Sequence, residues 1–368
     1  MTVDNLNKAL VELGKSQLLN KMNDLVQTAE STNLFPYAFE KAQLRNHKNK
    51  FFRENTLNNI IVVVNPTNYI NVSDEVDGYQ IKKMPEADLV ELCENESLRE
   101  QQLRASIVIL TNNNLAKITP SIFSKLVSQC LNTLFVIHDF DNHHWHDMSF
   151  NCALLSDVYA PAHLADFSLV ARITPTIKLG VPCGTIQWTK EFLIENLDRL
   201  ISMPRKHGPL GKHTYYSKFK YRNSVLSTVN KHYPAVGFIE SDFHSRNETD
   251  RWVEWANYPL HWIAPVNNDL PLRFFDSLIT GGIPLIPLSL KPYIDFLKIP
   301  PEYYICYSQS DILDVEQFIL SAMVEYKKQG KEGQLSRFSY ALKNFHVDSI
   351  INKLINSCIS EFSCISQK

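Results

Sequence analysis

A chain of 368 residues is longer than one hydrophobic core normally serves, so the length predicts two domains. The formal net charge is −2 and no long block of one sign occurs, which excludes the electrostatic footprint of a nucleic-acid-binding protein. The seven cysteines are scattered without a C-x-x-C pair, which favours reduced thiols over disulfides or a zinc site.

The opening stretch carries leucines at helical spacing, among them Leu6 and Leu10, which predicts a packing or oligomerisation helix rather than a signal peptide. No apolar segment approaches the ~18 residues that a membrane span needs, so we expect a cytoplasmic protein. The basic, aromatic stretch 41–53 follows. We interpret it as a solvated helix face. Contact with an anionic acceptor or a membrane surface is the alternative.

Three apolar runs in the first half of the chain predict buried strands, at residues 60–64, 106–110 and 134–137. Polar loop residues follow the first two runs, and residues 120–131 predict a helix between the second and the third. The repeated order of strand, loop and helix predicts an α/β fold with a doubly wound parallel sheet, whose functional loops gather at the carboxyl edge of the strands.

The loop after the third strand, residues 138–147, contains four of the chain's twelve histidines and three aspartates. Such a loop suits acid–base chemistry, because imidazole titrates near neutral pH and a neighbouring carboxylate can orient it. A divalent metal centre is a second interpretation, since His and Asp bind zinc, manganese or iron, although no helical H-x-x-x-H or distant C-x-x-C supports it. A hydrogen-bonded structural loop is the third.

Residues 204–213 combine proline, glycine and positive charge without periodicity, which predicts the linker between the two domains. We therefore expect an N-terminal domain at 1–203 and a C-terminal domain at 204–368. Phosphate contact from Lys212 is one interpretation of the basic linker, and plain linker chemistry is the other. The α/β rhythm then resumes, with a strand predicted at 215–219.

The most informative stretch is residues 260–287. An apolar run at its start predicts a strand, and a polar loop with Asn267 and Asn268 ends that strand. A helix follows from Pro271, with Arg273 and Asp276 about one turn apart, and two glycines stop it before another apolar run. The pattern predicts a strand–helix–strand unit whose helix N-terminus points at the ligand-binding edge of a parallel sheet.

Nine residues of this unit stand in a characteristic order: Arg273, Phe274, Asp276, Ser277, Leu278, Gly281, Ile283, Pro284 and Ile286. The series resembles the donor-site signature of exostosin-like glycosyltransferases and, more loosely, the nucleotide-sugar half of two-domain GT-B glycosyltransferases. The resemblance extends over a stretch of about two dozen residues. It departs from the pattern where the usual glutamate is Asp276 and the usual tryptophan is Phe275. A second glutamate, common in retaining enzymes, is absent near Asn268.

The resemblance implies a GT-B fold, in which two Rossmann-like, doubly wound domains face a cleft and carry N- and C-terminal helices. It also implies that the last helix packs back on the N-terminal domain. Asp276 would hold the ribose hydroxyls of the donor, and Arg273 would face its diphosphate, with help from Lys212 or Arg222.

On the acceptor side, the resemblance favours Asp139, Asp141 or His143 as the base that deprotonates the acceptor hydroxyl, without deciding among them. It also places His163 beside the cleft, although a histidine that caps the next helix fits the sequence equally well. On the donor side, Asn267 and Asn268 belong to the loop that would line the nucleotide. No metal is required, because fixed positive charge can stabilise a diphosphate leaving group.

The implied function is transfer of a sugar from a nucleotide-sugar donor, a UDP- or GDP-sugar, to a hydroxyl of a glycan or lipid-linked glycan. A role in bacterial surface polysaccharide synthesis, such as capsule or lipopolysaccharide, would fit, with peripheral association at the inner face of the membrane and homo-oligomerisation left open. Two alternatives remain: a metal-dependent hydrolase that uses the 138–147 loop, and a non-catalytic glycan- or partner-binding subunit with the same fold.

Overall fold

The computed structural model describes residues 34–64, 69–142, 147–163, 176–239 and 247–364. The first part of the chain contains α1 (Leu34–Glu54), β1 (Ile60–Val64), β2 (Glu75–Val76), β3 (Tyr79–Met84), α2 (Glu86–Leu92), α3 (Glu96–Leu103), β4 (Ile107–Thr111), α4 (Asn112–Ile118), α5 (Pro120–Gln129), β5 (Leu134–Asp139), α6 (Asp147–Leu155), β6 (Val158–Pro161), α7 (Lys190–Glu195) and α8 (Leu197–Ser202). The second part contains β7 (Pro209–His213), α9 (Lys220–Asn230), β8 (Val236–Phe238), α10 (Glu248–Ala256), β9 (Leu260–Trp262), α11 (Leu272–Ile279), β10 (Ile283–Pro287), α12 (Lys291–Phe296), β11 (Ile305–Tyr307), α13 (Gln309–Leu313), α14 (Val315–Phe345) and α15 (Val347–Phe362).

The strands of the described residues form two sheets. The first has the order β2-β3-β1-β4-β5-β6 and the second the order β11-β10-β9-β7-β8. The short strand β2 pairs antiparallel with β3, and the other pairs are parallel. The prediction of an α/β protein built on parallel sheets is therefore confirmed, whereas the domain boundary at residue 204 stays a prediction.

Apolar packing covers both faces of the central strands. Every residue of β4 and β5 is buried, as expected for parallel strands with helices on both sides. The largest apolar cluster joins Ile61 and Val136 of the first sheet to Phe274 and Ile286 of the second. The two sheets thus share one continuous core, which fixes how their edges meet.

The C-terminal helix α15 returns to the first sheet and packs against α1 and the strands β2, β4, β5 and β6. Its side chains Ile351 and Leu354 are fully buried there. The backbone N–H and the hydroxyl of Ser73 donate to the Asp348 carboxylate at 2.9 and 2.7 Å and fasten the start of the helix. The end of the chain therefore holds the first sheet in place.

The segment predicted as a linker contains strand β7, and the strand predicted at 215–219 is absent there because those residues form a loop. The residues Pro209–His213 lack the apolar run that marks a strand in a sequence. They form a strand nevertheless, and it pairs tightly with its neighbours. A Cβ at Gly211 would lie 2.8 Å from Cβ of Trp262, so the strand needs glycine at that point.

The basic stretch of α1 is only partly a solvated face, because His47, Lys50 and Arg53 are exposed whereas two of its lysines are not. Lys48 is fully buried, with Nζ 2.6 Å from an Asp157 carboxylate oxygen, and Lys41 donates to the Leu155 carbonyl at 2.5 Å. The sequence interpretation is wrong for these two lysines, because lysine stems pack along apolar surface while the ammonium group reaches a buried partner.

Among the helices that the structure describes, none combines the length and the apolar character needed to cross a membrane. The helix predicted for the opening stretch lies outside the described residues.

Candidate functional site

His163 joins the carboxyl ends of the two sheets. It lies just beyond β6, and its Nε2–H donates to the Phe140 carbonyl, which follows β5, at 2.9 Å. Its Nδ1 accepts from the backbone N–H of Leu270, which follows β9, at 3.1 Å. Because Nδ1 accepts, the ring is neutral with its proton on Nε2. The ligand-binding edges of both sheets therefore face each other, as in an α/β site built from strand-end loops.

Two aspartates occupy the loop after β5. Asp139 is fully buried, and its oxygens accept from the Tyr159 hydroxyl at 2.8 Å and from the backbone N–H of Asp141 at 3.0 Å. Burial raises the pKa of Asp139. Asp141 is half-buried, and one of its oxygens accepts from the Asn112 amide at 2.7 Å. Asp139 thus shapes the loop, whereas Asp141 is the less enclosed of the two.

The opposite loop, between β9 and α11, is a tight turn. Asn267 and Asn268 have left-handed backbone with φ of 51° and 59°. The Asp269 backbone N–H donates to the Val266 carbonyl at 3.0 Å, and its side chain accepts from the Val266 N–H. Asparagine tolerates this backbone better than most residues, which explains the pair.

Asp269 interacts electrostatically with charged groups on both sides of the interface between the sheets. Burial raises its pKa to about 7, the nearby Arg222 guanidinium opposes that rise, and the Asp141 carboxylate across the interface adds to it. The two carboxylates are therefore near each other, and the hydrogen bonds of His163 join the loops that carry them.

Two arginines place positive charge on the carboxyl side of the second sheet. Arg222, from the first turn of α9, donates to the carbonyls of Ala264 and Thr214 at 3.0 and 2.9 Å, which anchors it to the ends of β9 and β7. Arg273 lies in the first turn of α11 and is half-buried. Burial lowers the pKa of Arg273 to about 10, Asp276 counteracts this, and Arg222 adds to it. Two guanidinium groups that repel each other at the positive end of a helix suit a multiply charged anion.

Asp276 is fully enclosed. One oxygen accepts from the Thr185 hydroxyl at 2.8 Å and the other from the Gln187 amide, both in the segment that precedes α7. Burial raises the pKa of Asp276 to about 7, although these two hydrogen bonds and Arg273 favour the charged form. The carboxylate ties the donor-site helix to that segment in this conformation, and its predicted ribose contact stays a prediction.

The remaining predicted residues lie in different places. Lys212 is half-buried in β7 and donates to the carbonyl of Pro234, at the amino end of β8, away from the edge where the arginines lie. Asn268 accepts from the Ser289 hydroxyl at 3.1 Å. His143 lies outside the described residues. Arg222 and Arg273 therefore lie near each other beside the second sheet, Asp141 lies in the loop after β5, and Lys212 points elsewhere.

The histidine loop holds no metal group within its described part. Both ring nitrogens of His138 are engaged, by the Tyr69 hydroxyl at 2.9 Å and the Val181 carbonyl at 3.0 Å. Burial lowers the pKa of His138 to about 4, so the ring is neutral. Across the described residues, no group of three or more His, Cys, Asp or Glu side chains could hold a metal ion. His138 is thus a structural residue.

Sequence reasoning does not show that His163 connects the two loops. The sequence leaves His163 either near the cleft or at a helix cap, and its double hydrogen bond depends on two backbone groups that no motif encodes. In the sequence, Asp269 is only one of the polar loop residues, next to the two asparagines. Its place opposite Asp141 depends on the packing of the sheets.

No protein-family model matches the chain, and no curated protein matches it. Among solved structures, the chain is similar to Anabaena Alr3699/HepE in complex with UDP-glucose, with 11% sequence identity and a TM-score of 0.42. The similarity covers 82% of this chain and 99% of that chain.

Proposed function

We propose that the protein is a glycosyltransferase that takes its sugar from a nucleotide-sugar donor. The observation that carries the proposal is the pair of arginines, Arg222 and Arg273, on the carboxyl side of the second sheet, whose loop before α11 is joined through His163 to the loop that contains Asp141. A diphosphate beside the guanidinium groups and an acceptor hydroxyl beside the carboxylate would place the reacting groups between the two sheets. The donor-site resemblance of residues 273–286 supports the same arrangement.

In the proposed reaction, Asp141 takes the proton of the acceptor hydroxyl as its oxygen attacks the anomeric carbon. The bond from that carbon to the diphosphate oxygen breaks, and the negative charge that develops on the nucleoside diphosphate is stabilised by Arg273 and Arg222. Asn112 would orient Asp141 through its amide. Asp139 remains a weaker candidate for the base because its carboxylate is enclosed.

The donor would also contact the turn at Asn267 and Asn268. Backbone N–H groups of a turn with left-handed residues can bind an anion such as a phosphate. For Asp276 to hold the ribose hydroxyls, Thr185 and Gln187 would have to release its oxygens when the donor binds. The proposed donor is a UDP- or GDP-sugar. The proposed acceptor is a glycan or a lipid-linked glycan of a bacterial surface polysaccharide. The proposed place of the reaction is the cytoplasm or the inner face of the membrane, and the proposed fold is a two-domain GT-B fold.

A nucleotide-binding experiment tests the proposal directly. Thermal unfolding of the wild-type protein is measured with UDP, GDP, CMP, ADP and dTDP, with and without manganese, and repeated on Arg273→Ala. The matched control is Arg53→Ala, which removes an exposed arginine in the last turn of α1. One nucleotide should raise the Tm of the wild type and of the control but not of Arg273→Ala. If no nucleotide raises the Tm of the folded wild type, the proposal is overturned.

A further inference from the structure

The loop between β7 and α9 and the first turn of α9 expose three tyrosine side chains. Tyr215 is 58% exposed, Tyr216 is 38% exposed and Tyr221 is 67% exposed. Single exposed apolar residues are common, but three exposed aromatic side chains within seven residues of the chain favour a binding surface. We call these three residues the tyrosine strip.

The rings of the tyrosine strip are held in place before any ligand arrives. Tyr215 packs edge-on against Phe238 with ring centroids 5.2 Å apart, and Tyr216 packs edge-on against Phe219 at 6.0 Å. The Tyr221 hydroxyl donates to the Gln309 side chain at 2.8 Å. Binding to rings that are already ordered loses little side-chain entropy.

The strip extends along the carboxyl edge of the second sheet. Phe238 ends β8, the strand at one edge of that sheet, and Gln309 begins α13, directly after β11 at the other edge. The four spacings between five strands amount to about 19 Å. Because Tyr215 contacts Phe238 and Tyr221 contacts Gln309, the strip reaches residues at both edges of the sheet and fits a ligand longer than a single sugar or nucleobase.

Positive charge accompanies the strip. Lys218 and Lys220 are exposed between the tyrosines, and the Arg222 guanidinium lies 5.7 Å from the centre of the Tyr216 ring. Tyrosine faces pack against the C–H faces of sugar rings, while lysines attract carboxylates or phosphates on the same chain. A nucleic acid needs a wider basic surface than this, and the chain as a whole is slightly acidic.

We propose that the tyrosine strip binds an anionic oligosaccharide, which is the acceptor of the proposed transfer. The assignment rests on the proposed function and names its acceptor class. Arg222 links the strip to the site, because it contacts the Tyr216 ring and is anchored at the ends of β7 and β9. An acceptor on the strip would therefore end beside the cleft that holds Asp141 and Asp269.

The test measures binding of two fluorescently labelled probes of equal length, an oligogalacturonate and a neutral maltooligosaccharide, by fluorescence anisotropy. The strip variants are the double variant Tyr215→Ala/Tyr221→Ala and the charge variant Lys218→Glu/Lys220→Glu. Their matched controls are Phe296→Ala, which removes an aromatic ring that is 45% exposed on α12, and Lys328→Glu, which reverses an exposed charge on α14. The nucleotide thermal shift is recorded for every variant.

The wild type and both controls should bind the oligogalacturonate at least about tenfold more tightly than the neutral probe, a difference of about 1.4 kcal/mol. Each strip variant should lose about tenfold in affinity for the acidic probe and keep the nucleotide response of the wild type. The inference is overturned if the wild type does not prefer the acidic probe, or if the strip variants bind it as the controls do. Loss of the nucleotide response in the strip variants would also overturn it, because the strip would then belong to the donor site.

The two proposals fail separately. If no nucleotide stabilises the wild type while the strip still binds the acidic probe, the transferase assignment falls and an anionic-glycan-binding protein remains. If nucleotides bind and the acidic probe does not, the acceptor assignment falls and the donor site remains.

Discussion

The Nδ1 atom of His163 accepts a hydrogen bond from the backbone N–H of Leu270 at 3.1 Å, across the interface between the two sheets. The other ring nitrogen donates to the Phe140 carbonyl, so one neutral imidazole fixes the spacing between the loop after β5 and the loop after β9. The spacing between Asp141 and Arg273 depends on these two loops. A buried, fully paired histidine therefore holds the candidate site together without touching a substrate.

Replacing His163 with alanine should destabilise the protein by about 1–3 kcal/mol, because a buried N–H and a buried carbonyl lose their partner. Nucleotide binding should weaken as well, since the turn at 266–269 loses its support. Urea denaturation and the nucleotide thermal shift measure the two effects. His232→Ala is the control because it removes a histidine whose side chain is 40% exposed. Equal stability of His163→Ala and the wild type would contradict the bridging role.

Asp276 should make the protein less stable as the pH rises. Its pKa is raised from 3.8 to about 7, so the folded state holds the proton more tightly than the unfolded state. The contribution to the free energy of unfolding is therefore greatest below about pH 4 and is lost as the pH rises towards 7. Asp276→Asn cannot titrate, so its stability relative to the wild type should increase over this interval.

The Asp276→Asn variant also has a way to keep its contacts. The Gln187 side-chain oxygen is buried and has no hydrogen-bond partner among the described residues, so a flip of the Gln187 amide would let that oxygen accept from the amide introduced by the substitution. Urea denaturation at several pH values measures the difference, with Asp198→Asn, an exposed carboxylate of α8, as the control. A difference between Asp276→Asn and the wild type that does not vary with pH would show that Asp276 keeps an ordinary pKa.

The turn before α11 gives a test of backbone conformation. Asn268 has a φ of 59°, where a β-branched side chain costs about 1–2 kcal/mol and glycine costs little. Asn268→Val should therefore lower both the Tm and the affinity for nucleotide, whereas Asn268→Gly should keep both near the wild type. Asn257→Val is the matched control because Asn257 has a φ of −74°. If valine is tolerated equally at both positions, the left-handed turn does not shape the site.

The central strands and the donor-site helix could be predicted because their signals are local. The apolar runs of β1, β4 and β5 and the glycine stop after α11 each depend on neighbouring residues in the sequence. Strand β7 could not be predicted because its burial comes from contact with β8 and β9, and its own residues, which include a proline and a glycine, resemble a linker.

The electrostatics of the site could not be predicted from the sequence. The donor-site resemblance places Asp276 beside ribose, but its surroundings depend on Thr185 and Gln187, about ninety residues earlier in the chain. The local pattern assigns Lys48 to a solvated face, yet it pairs with Asp157, more than a hundred residues away. Helical spacing predicts which side chains share a face, and the packing of distant elements decides what that face meets.

The two aspartates of the loop after β5 should separate stability from catalysis. The two oxygens of Asp139 accept from the Tyr159 hydroxyl and from the Asp141 backbone N–H, and Asp139→Asn replaces one of these acceptors with an amide N–H, so it should cost about 1–3 kcal/mol in the free energy of unfolding. Asp141→Asn keeps the half-buried position and removes the proposed base, so it should leave stability near the wild type. Removing a general base lowers turnover by about 10²–10⁴-fold.

Turnover is followed as release of nucleoside diphosphate from the donor that the nucleotide panel identifies, in the presence of acceptor. Unfolding is followed in parallel by urea denaturation. Asp141→Asn with wild-type turnover would remove Asp141 from the mechanism. A folded Asp139→Asn that loses all turnover while Asp141→Asn stays active would move the base to Asp139, because the enclosed carboxylate would then have to become exposed when substrate binds.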